Sequence, residues 1–345
     1  DNVYLRVKYR NPVAIAKADG TSVVLTPVNN KAWSGDSQIA AGDFLLLGLD
    51  SKGFYRNSLV LEGTATAAYC QKLAYDNGCI YAQGYITGDG SDMKAGAFTI
   101  SPTTVMSPLF LCTDTDFNTK WAKCYRGEQV QNKLGLQNIG ITVSNGYMWI
   151  CGQYNLKMTD PDNSANIITA TQGSIREGFI LKLDAATGRW AAARNSRDDE
   201  WNHPSALAKT GLTGYLKILH NPATPDVVYA FGYVMNMNVG VFLREYNANT
   251  LEANLSDGQN NVVTGGGAPS CQSVAYDTQN NCVYLTARGN KAFSTVGGIT
   301  SATPAGWGVL IAKFTMPADN TSSIGAIESD IDNDTLPVEY YNLQG

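Results

Sequence analysis

Residues 70–81 read CQKLAYDNGCIY, and much later in the chain residues 271–284 read CQSVAYDTQNNCVY. In both copies an alternating stretch, a short polar break and a second alternating stretch describe two strands joined by a tight turn. Asn77-Gly78 supplies the turn in the first copy, because a two-residue type I′ turn needs positive φ at both positions. The second copy widens the turn to Thr278-Gln279-Asn280-Asn281 and keeps the flanks. A hairpin used twice at such a distance implies a circular or stacked array of similar units, which narrows the fold more than any other feature of the chain.

The second strand of the hairpin recurs as CIYAQGY (79–85), YMWICGQY (147–154), VVYAFGY (227–233) and CVYLTARG (282–289), with an aromatic third residue at Tyr81, Trp149, Tyr229 and Tyr284. A glycine-led strand follows each: GAFTISP (96–102), GFILKLD (178–184), GVFLREY (240–246) and GVLIAKF (308–314). DFLLLGLD (43–50) reads as a further copy in shifted register, and AATGRWAAA after GFILKLD adds a turn and a fourth strand. Four antiparallel strands repeated around a ring are the blades of a β-propeller, an all-β fold that closes on itself and hides its edges. The aromatics are 68, 80 and 55 residues apart, so a chain of 345 residues holds about five units. Against the ~40–45 residues of a compact blade, the loops carry the excess. In the amino-terminal unit VAIAKA (13–18), SVVLTPV (22–28), DFLLLGLD and YRNSLVL (55–61) would be the four strands, leaving VYLRVKY (3–9) to complete a blade begun near the carboxyl end. Five blades fit best, and six or seven stay open; PLFLCTD (108–114) and KWAKCYR (120–126) crowd one interval with an extra strand.

The charged fraction is 16%, against ~25% in an average globular protein, so Asn, Thr, Ser, Gly and Gln must make up much of the surface. A net charge of −5 without basic clusters argues against a nucleic-acid partner. No apolar stretch approaches the ~20 residues of a transmembrane helix. The chain starts at Asp1 without a charged-then-apolar leader, which fits either a cytosolic protein or one whose signal has been removed. Residues 1–318 read as one propeller domain, and residues 319–345 as a polar, acidic linker with a short tail.

That tail, PVEYYNLQG (337–345), resembles the start of a carboxyl-terminal segment on many secreted and cell-surface proteins of gram-negative gut bacteria. The resemblance implies export, to the periplasm or the outer surface, and attachment through the tail. It implies nothing about activity. The strand pair GFILKLDAATGRW likewise resembles bacterial β-propeller repeats in which a glycine-led strand ending in Lys-Leu-Asp is followed by a turn and a Trp. This resemblance implies the fold and a surface-exposed bacterial context, in families of mixed function.

Seven cysteines need an account in an exported chain. With Asp76 facing Cys79, the hairpin register sets Cys70 opposite Tyr85; with Asp277 facing Cys282, it sets Cys271 opposite Arg288. Neither hairpin then joins its own cysteines, and buried free thiols are expected. Cys112 and Cys124, placed symmetrically about Asn118, are the one disulfide candidate. No Cys-x-x-Cys pair exists, so no cysteine metal site is expected, and no cofactor is implied.

Signatures for zinc hydrolysis, serine esterases and nucleotide binding are all missing. His220 aligns with Tyr75 and Tyr276 of the other hairpins, which marks it as structural. The other histidine, His203, lies in the loop 196–211 with Asp198, Asp199, Glu200 and Trp201. Such carboxylates could work as acid and base on a glycosidic bond, and Trp201 could stack on a sugar. An acidic loop that is merely solvated, its Trp anchoring it, is the competing reading. Between second and third strands, the loop 157–178 is rich in Asp, Asn, Ser and Thr, and the loop 286–308 holds Arg288, Lys291, Phe293 and Trp307. The loop 88–94 holds Asp89 and Asp92, which could take calcium, although the spacing is not that of an EF-hand. Because strand direction alternates, second-to-third and fourth-to-first loops share one rim. These features suit a surface binding or adhesion module for a glycan or an extracellular protein. A carbohydrate-active hydrolase or lyase using the acids of 196–205, or a scaffold in a surface assembly, are the alternatives.

Overall fold

The computed structural model describes residues 2–9, 11–27, 43–63, 65–88, 91–103, 107–128, 136–154, 157–169, 177–195, 212–220, 224–235, 240–253, 261–265, 270–277, 280, 282–289, 293–295 and 308–315. Among them all regular structure is β, and no helix is long and apolar enough to cross a membrane. The chain divides into two compact units, Asp1–Asp198 and Asp199–Gly345.

In the first unit Ala65–Asp76, Cys79–Gly88, Ser107–Asp114 and Thr119–Cys124 form one four-stranded antiparallel meander. Leu136–Ser144, Tyr147–Tyr154, Glu177–Asp184 and Trp190–Asn195 form the next. A three-stranded sheet, in the order Val3–Tyr9, Asp43–Leu49 and Tyr55–Val60, precedes both. In the second unit Leu212–His220, Val227–Met235, Gly240–Asn247 and Asn261–Gly265 repeat the meander, with Phe293–Thr295 paired beyond its fourth strand. Ser270–Asp277, Cys282–Gly289 and Gly308–Thr315 make a three-stranded sheet there.

The repeats share their irregularities as well as their pattern. In the twin hairpins Asp76 pairs with Cys79 and Asp277 with Cys282, but Gln71 or Gln272 is bulged out of the first strand. Cys70 therefore faces Gly84 rather than Tyr85, and Cys271 faces Ala287 rather than Arg288. The first strands of the other two meanders bulge at the corresponding place, between Gln137 and Gly140 and between Tyr215 and Lys217. Fourth strands bulge too, at Arg56, Lys120 and Ala191 in the first unit. A bulge bends its strand and increases the local twist. This second bulge makes Gly48, Cys112 and Lys182 equivalent, and each faces an aromatic: Tyr4, Tyr81 and Trp149.

Tyr4 is thus the core aromatic of the first sheet, and Val3–Tyr9 is its second strand rather than a leftover. VAIAKA and SVVLTPV stand apart, with Val13–Ala16 pairing Ser22–Leu25 in a separate ribbon whose turn is braced by Asp19 Oδ1, which accepts Thr21 N at 2.9 Å and Thr21 Oγ1 at 2.6 Å. GAFTISP is also a ribbon, Phe98–Ile100 on Met93–Ala95. The third strand of that sheet is Ser107–Asp114, buried along nearly its whole length. The interval that looked crowded holds one meander and one ribbon. Cys112 and Cys124 form no disulfide. Cys112 faces Trp121 and Cys124 faces Leu109, three residues from Cys112 on the same strand, so the thiols lie on opposite faces of the sheet. Cys70, Cys79, Cys112, Cys124, Cys151 and Cys282 are free and buried.

Two apolar layers hold the first unit together. One joins Phe44, Leu46 and Leu59 of the first sheet to Ile80, Ala82, Leu109 and Leu111 of the second. The other joins Tyr81, Tyr85, Phe110 and Trp121 of the second sheet to Met148, Ile150, Phe179 and Leu181 of the third. Alternate residues of one strand feed the two layers, which is why these strands are apolar on both faces and read as continuous runs. The second and third sheets meet chiefly through Ala65–Asp76 and Leu136–Ser144, and the first sheet meets Ala65–Asp76 through Val3–Tyr9 and Asp43–Leu49.

Candidate functional site

Each meander has two edges. At one, strands are joined by short turns. Asn77-Gly78 (φ 46° and 74°) and Asn145-Gly146 (φ 51° and 77°) close the first-to-second connections. The third-to-fourth turns repeat one device. Asp50 Oδ1 accepts from Lys52 N and Phe54 N; Asp114 Oδ1 from Asp116 N and Asn118 N; Asp184 Oδ1 from Thr187 N and Oγ1; Asn247 Oδ1 from Asn249 N and Thr250 N. The backbone hydrogen bond from Phe54 heads the causes that hold the Asp50 carboxyl below its usual range. Burial pushes the Asp114 carboxyl up, but the hydrogen bonds from Asn118 and Asp116 outweigh it and its pKa is lowered.

The opposite edge carries ribbons. The bridge Glu62–Lys94 joins the segment leaving the first sheet to the second-to-third connection of the next. One repeat later Arg126–Glu128 pairs with Lys157–Thr159, which pairs with Ile167–Thr169. Fourth-to-first and second-to-third connections do share one edge in this unit, as alternating strand direction requires. Met93, Ala95 and Ile100 root the first ribbon in one apolar layer, and Met158 and Ile168 root the second in the other. The outward residues are left on a braced platform.

Its most polar part is TDPDNSANI (159–167). Asp160 is buried and spent on its own loop, accepting from Asp162 N at 3.0 Å and Asn166 Nδ2 at 2.9 Å. Asn163 Oδ1 accepts from Ala165 N at 3.0 Å. Asp162 is exposed and pairs with Lys123 of the preceding sheet. Beneath it Tyr125 is buried, and burial, with Asp160 and Asp162 adding to it, pushes its hydroxyl pKa up. Sequence reading marked this stretch only as a polar loop. The signal for its structure was Asp160-Pro161-Asp162-Asn163, a turn former between two short alternating runs.

Of the residues singled out from sequence, Asp92 is exposed at the base of the first ribbon, where it accepts from Ser101 Oγ at 2.6 Å. Arg288 lies near the ribbon-edge end of its strand, between Ser270 and Val309. Asp89, Asp198, Asp199, Glu200, Trp201, His203 and Trp307 lie outside the described residues. His220 is buried, pairs with Val228 as Tyr75 pairs with Ile80, and its Nε2 hydrogen-bonds Pro225 O at 3.0 Å, the packing role its alignment implied. Among the described residues no group of three His, Cys, Asp or Glu side chains is placed to hold a metal.

No protein-family model matches the chain, and no curated protein matches it. Among solved structures it is similar to rhamnogalacturonan lyase YesW, at 9% identity and TM-score 0.35, over 90% of this chain and 60% of that one. It is also similar to Trypanosoma rangeli sialidase in complex with sialic acid, at 9% identity and TM-score 0.36, over 83% and 48%. A third is a quinohemoprotein alcohol dehydrogenase from Pseudomonas putida HK5, at 10% identity and TM-score 0.32, over 84% and 61%. The chain spans about half to three-fifths of the length of these structures. At such TM-scores a likeness carries no argument about chemistry.

Proposed function

We propose that the meander sheets are the five blades of a closed β-propeller, and that the protein is a secreted or cell-surface module binding a glycan or an extracellular protein through its ribbon edge. The observation that carries this reading is the asymmetry of the edges. Ribbons rooted by Met93, Ala95, Met158 and Ile168 hold Asp, Asn, Ser, Thr and Lys side chains on a preorganised surface, while the other edge only reverses the chain. Preorganised polar groups bind without a further ordering cost. The ring is a reading of the repeat itself, in which, among the described residues, three four-stranded meanders and two three-stranded sheets follow one another along the chain. Attachment through the tail at 337–345 belongs to the same proposal.

Glycan-array screening and pull-downs from extracellular material test the binding role, with Asp162→Ala as the ribbon-edge control. Binding lost in that variant supports the reading. Turnover of a polysaccharide that disappears when Asp198, Asp199 and Glu200 are replaced would substitute the carbohydrate-active enzyme. For the ring, Ile311→Asp in the last sheet should lower the unfolding midpoint, and an unchanged midpoint would show the face that carries Ile311 to be open.

A further inference from the structure

At the turn edge of the second sheet, Lys120 Nζ lies 2.9 Å from Cys79 Sγ. Lys120 is the bulged residue of its strand, and the bulge re-aims its side chain toward the thiol. Cys79 opens the second strand, directly after the Asn77-Gly78 turn, and is 9% exposed. Cys112 faces Tyr81 on the third strand, so it is the diagonal neighbour of Cys79 on one face, and both belong to the same apolar cluster. The Cys79 thiol and the Tyr81 hydroxyl are close enough to influence its ionisation. Around the group stand Asp114, paired with Cys79, and Asp76 beyond the turn. One thiol thus meets an ammonium group at the surface, and the second is sealed beneath it.

We propose that Cys79 and Cys112 are a peroxide-reactive dithiol that oxidises to an intrachain disulfide, with Cys79 attacking and Cys112 resolving. The Lys120 ammonium, 2.9 Å from the Cys79 sulfur, is placed to meet the charge that the attacking sulfur carries. The thiolate sulfur takes one oxygen from a hydroperoxide as the O–O bond breaks; the leaving oxide picks up a proton and Cys79 becomes a sulfenic acid. Cys112 sulfur then attacks Cys79 sulfur, the S–O bond breaks, and hydroxide leaves as water with the proton of the Cys112 thiol. Overall two thiols and one hydrogen peroxide give a disulfide and two waters. Burial seals the Cys112 thiol from solvent and pushes it up to about 12, so peroxide meets Cys79 first and Cys112 gives up its proton only in the resolving step. A diagonal pair must close in to bond, and Cys79 is free to do so as a strand-terminal residue beside the Asn77-Gly78 turn.

The second hairpin supplies the control. Cys282 holds the position of Cys79, but Lys313 faces Tyr284 where Cys112 faces Tyr81, so Cys282 has no thiol at the resolving position. The full chain would be treated with hydrogen peroxide, unfolded, alkylated and peptide-mapped. A Cys79–Cys112 linkage with Cys282 still alkylatable is expected. Cys112→Ser should stop Cys79 at a sulfenic acid that dimedone captures, and Lys120→Gln should slow oxidation of Cys79 on the order of tenfold at neutral pH. Should Cys112→Ser fail to fold, the wild-type map and the Lys120→Gln rate still decide. Cys79 reacting no faster than Cys282, or reaching sulfinic acid while Cys112 stays alkylatable, would overturn the proposal.

Discussion

The turn edge and the ribbon edge of the first unit join the same strands but follow different rules. Third-to-fourth turns need only a handful of residues, and Asp50, Asp114 and Asp184 brace each in the same way. The left-handed position is filled by Gly53, Phe117 and Gly188, with φ of 86°, 63° and 68°. Second-to-third connections at the other edge run over residues 10–42, 89–106 and 155–176, and each contains a ribbon of its own. Where the chain must only reverse, geometry dictates the residues. Where it can lengthen without disturbing the sheets, surface can be added, and that is where recognition can be built.

The comparison breaks most sharply at two glycines. A Cβ on Gly188 would sit 2.6 Å from Cε3 of Trp121, whose Nε1 donates to Ala185 O at 2.9 Å and pins the neighbouring sheet to this turn. Gly188→Val should therefore cost about 3 kcal/mol, combining left-handed strain with overpacking. Gly20, in the ribbon turn of the first sheet, has φ 84° and nothing within 4 Å, so Gly20→Ala should cost only about 1 kcal/mol of strain. Denaturant midpoints at constant m-value measure both, and equal losses would mean the edges are equally constrained.

The same difference explains what could be read from the chain. Strands such as Tyr147–Tyr154 and Cys282–Gly289 were legible because alternation and a fixed aromatic mark them. The bulges at Gln71 and Gln272 were not, since a bulge changes pairing without changing the pattern of residue types. Ribbons misled for a related reason: Phe98–Ile100 alternates like a sheet strand, and only its pairing with Met93–Ala95 in place of Cys79–Gly88 distinguishes it from one. Tyr4 escaped notice because its strand is separated from Asp43–Leu49 by a ribbon-bearing connection. The platform's polar residues were visible as composition. Their arrangement depends on pairings between segments far apart in sequence, such as Arg126–Glu128 with Lys157–Thr159.

Changes of pH should load the edges unequally. Cys70 and Cys124 are buried, and burial pushes both thiols up to about 12, as it does Cys112. Unfolding releases them to about 9, so their stabilising contribution is intact below pH ~9 and is lost as pH rises toward ~12. Each thiol that ionises only on unfolding should cost about 1.4 kcal/mol per pH unit within that window. Cys124 and Tyr125 lie where the fourth strand runs into the ribbon and Cys112 lies two residues before the third-to-fourth turn, so alkali should raise amide exchange at both edges. Acid acts on the turn edge. The lowered carboxyls of Asp50 and Asp114 stabilise above their unfolded pKa near 4, and that contribution fades as pH falls through the folded values. Exchange rising first in the ribbons at low pH would contradict this division.

Single bracing residues should repeat the contrast on a smaller scale. Asp184→Ala removes two acceptor contacts, to Thr187 N at 2.8 Å and Thr187 Oγ1 at 2.7 Å, and should cost about 1 kcal/mol. Asp162→Ala removes a pair with Lys123 whose carboxylate is open to solvent, and should change stability by less than about 0.5 kcal/mol. The asymmetry must invert when binding is the readout. Asp162 stands on the braced ribbon with its carboxylate exposed to solvent, whereas Asp184 is committed to its turn. In a protein that binds through the ribbon edge, Asp162→Ala weakens ligand capture at nearly unchanged stability, and Asp184→Ala lowers stability and leaves capture alone. Titrating both variants against the same glycan or protein, beside their unfolding midpoints, separates the roles. Equal loss of capture in the two would place recognition elsewhere on the molecule.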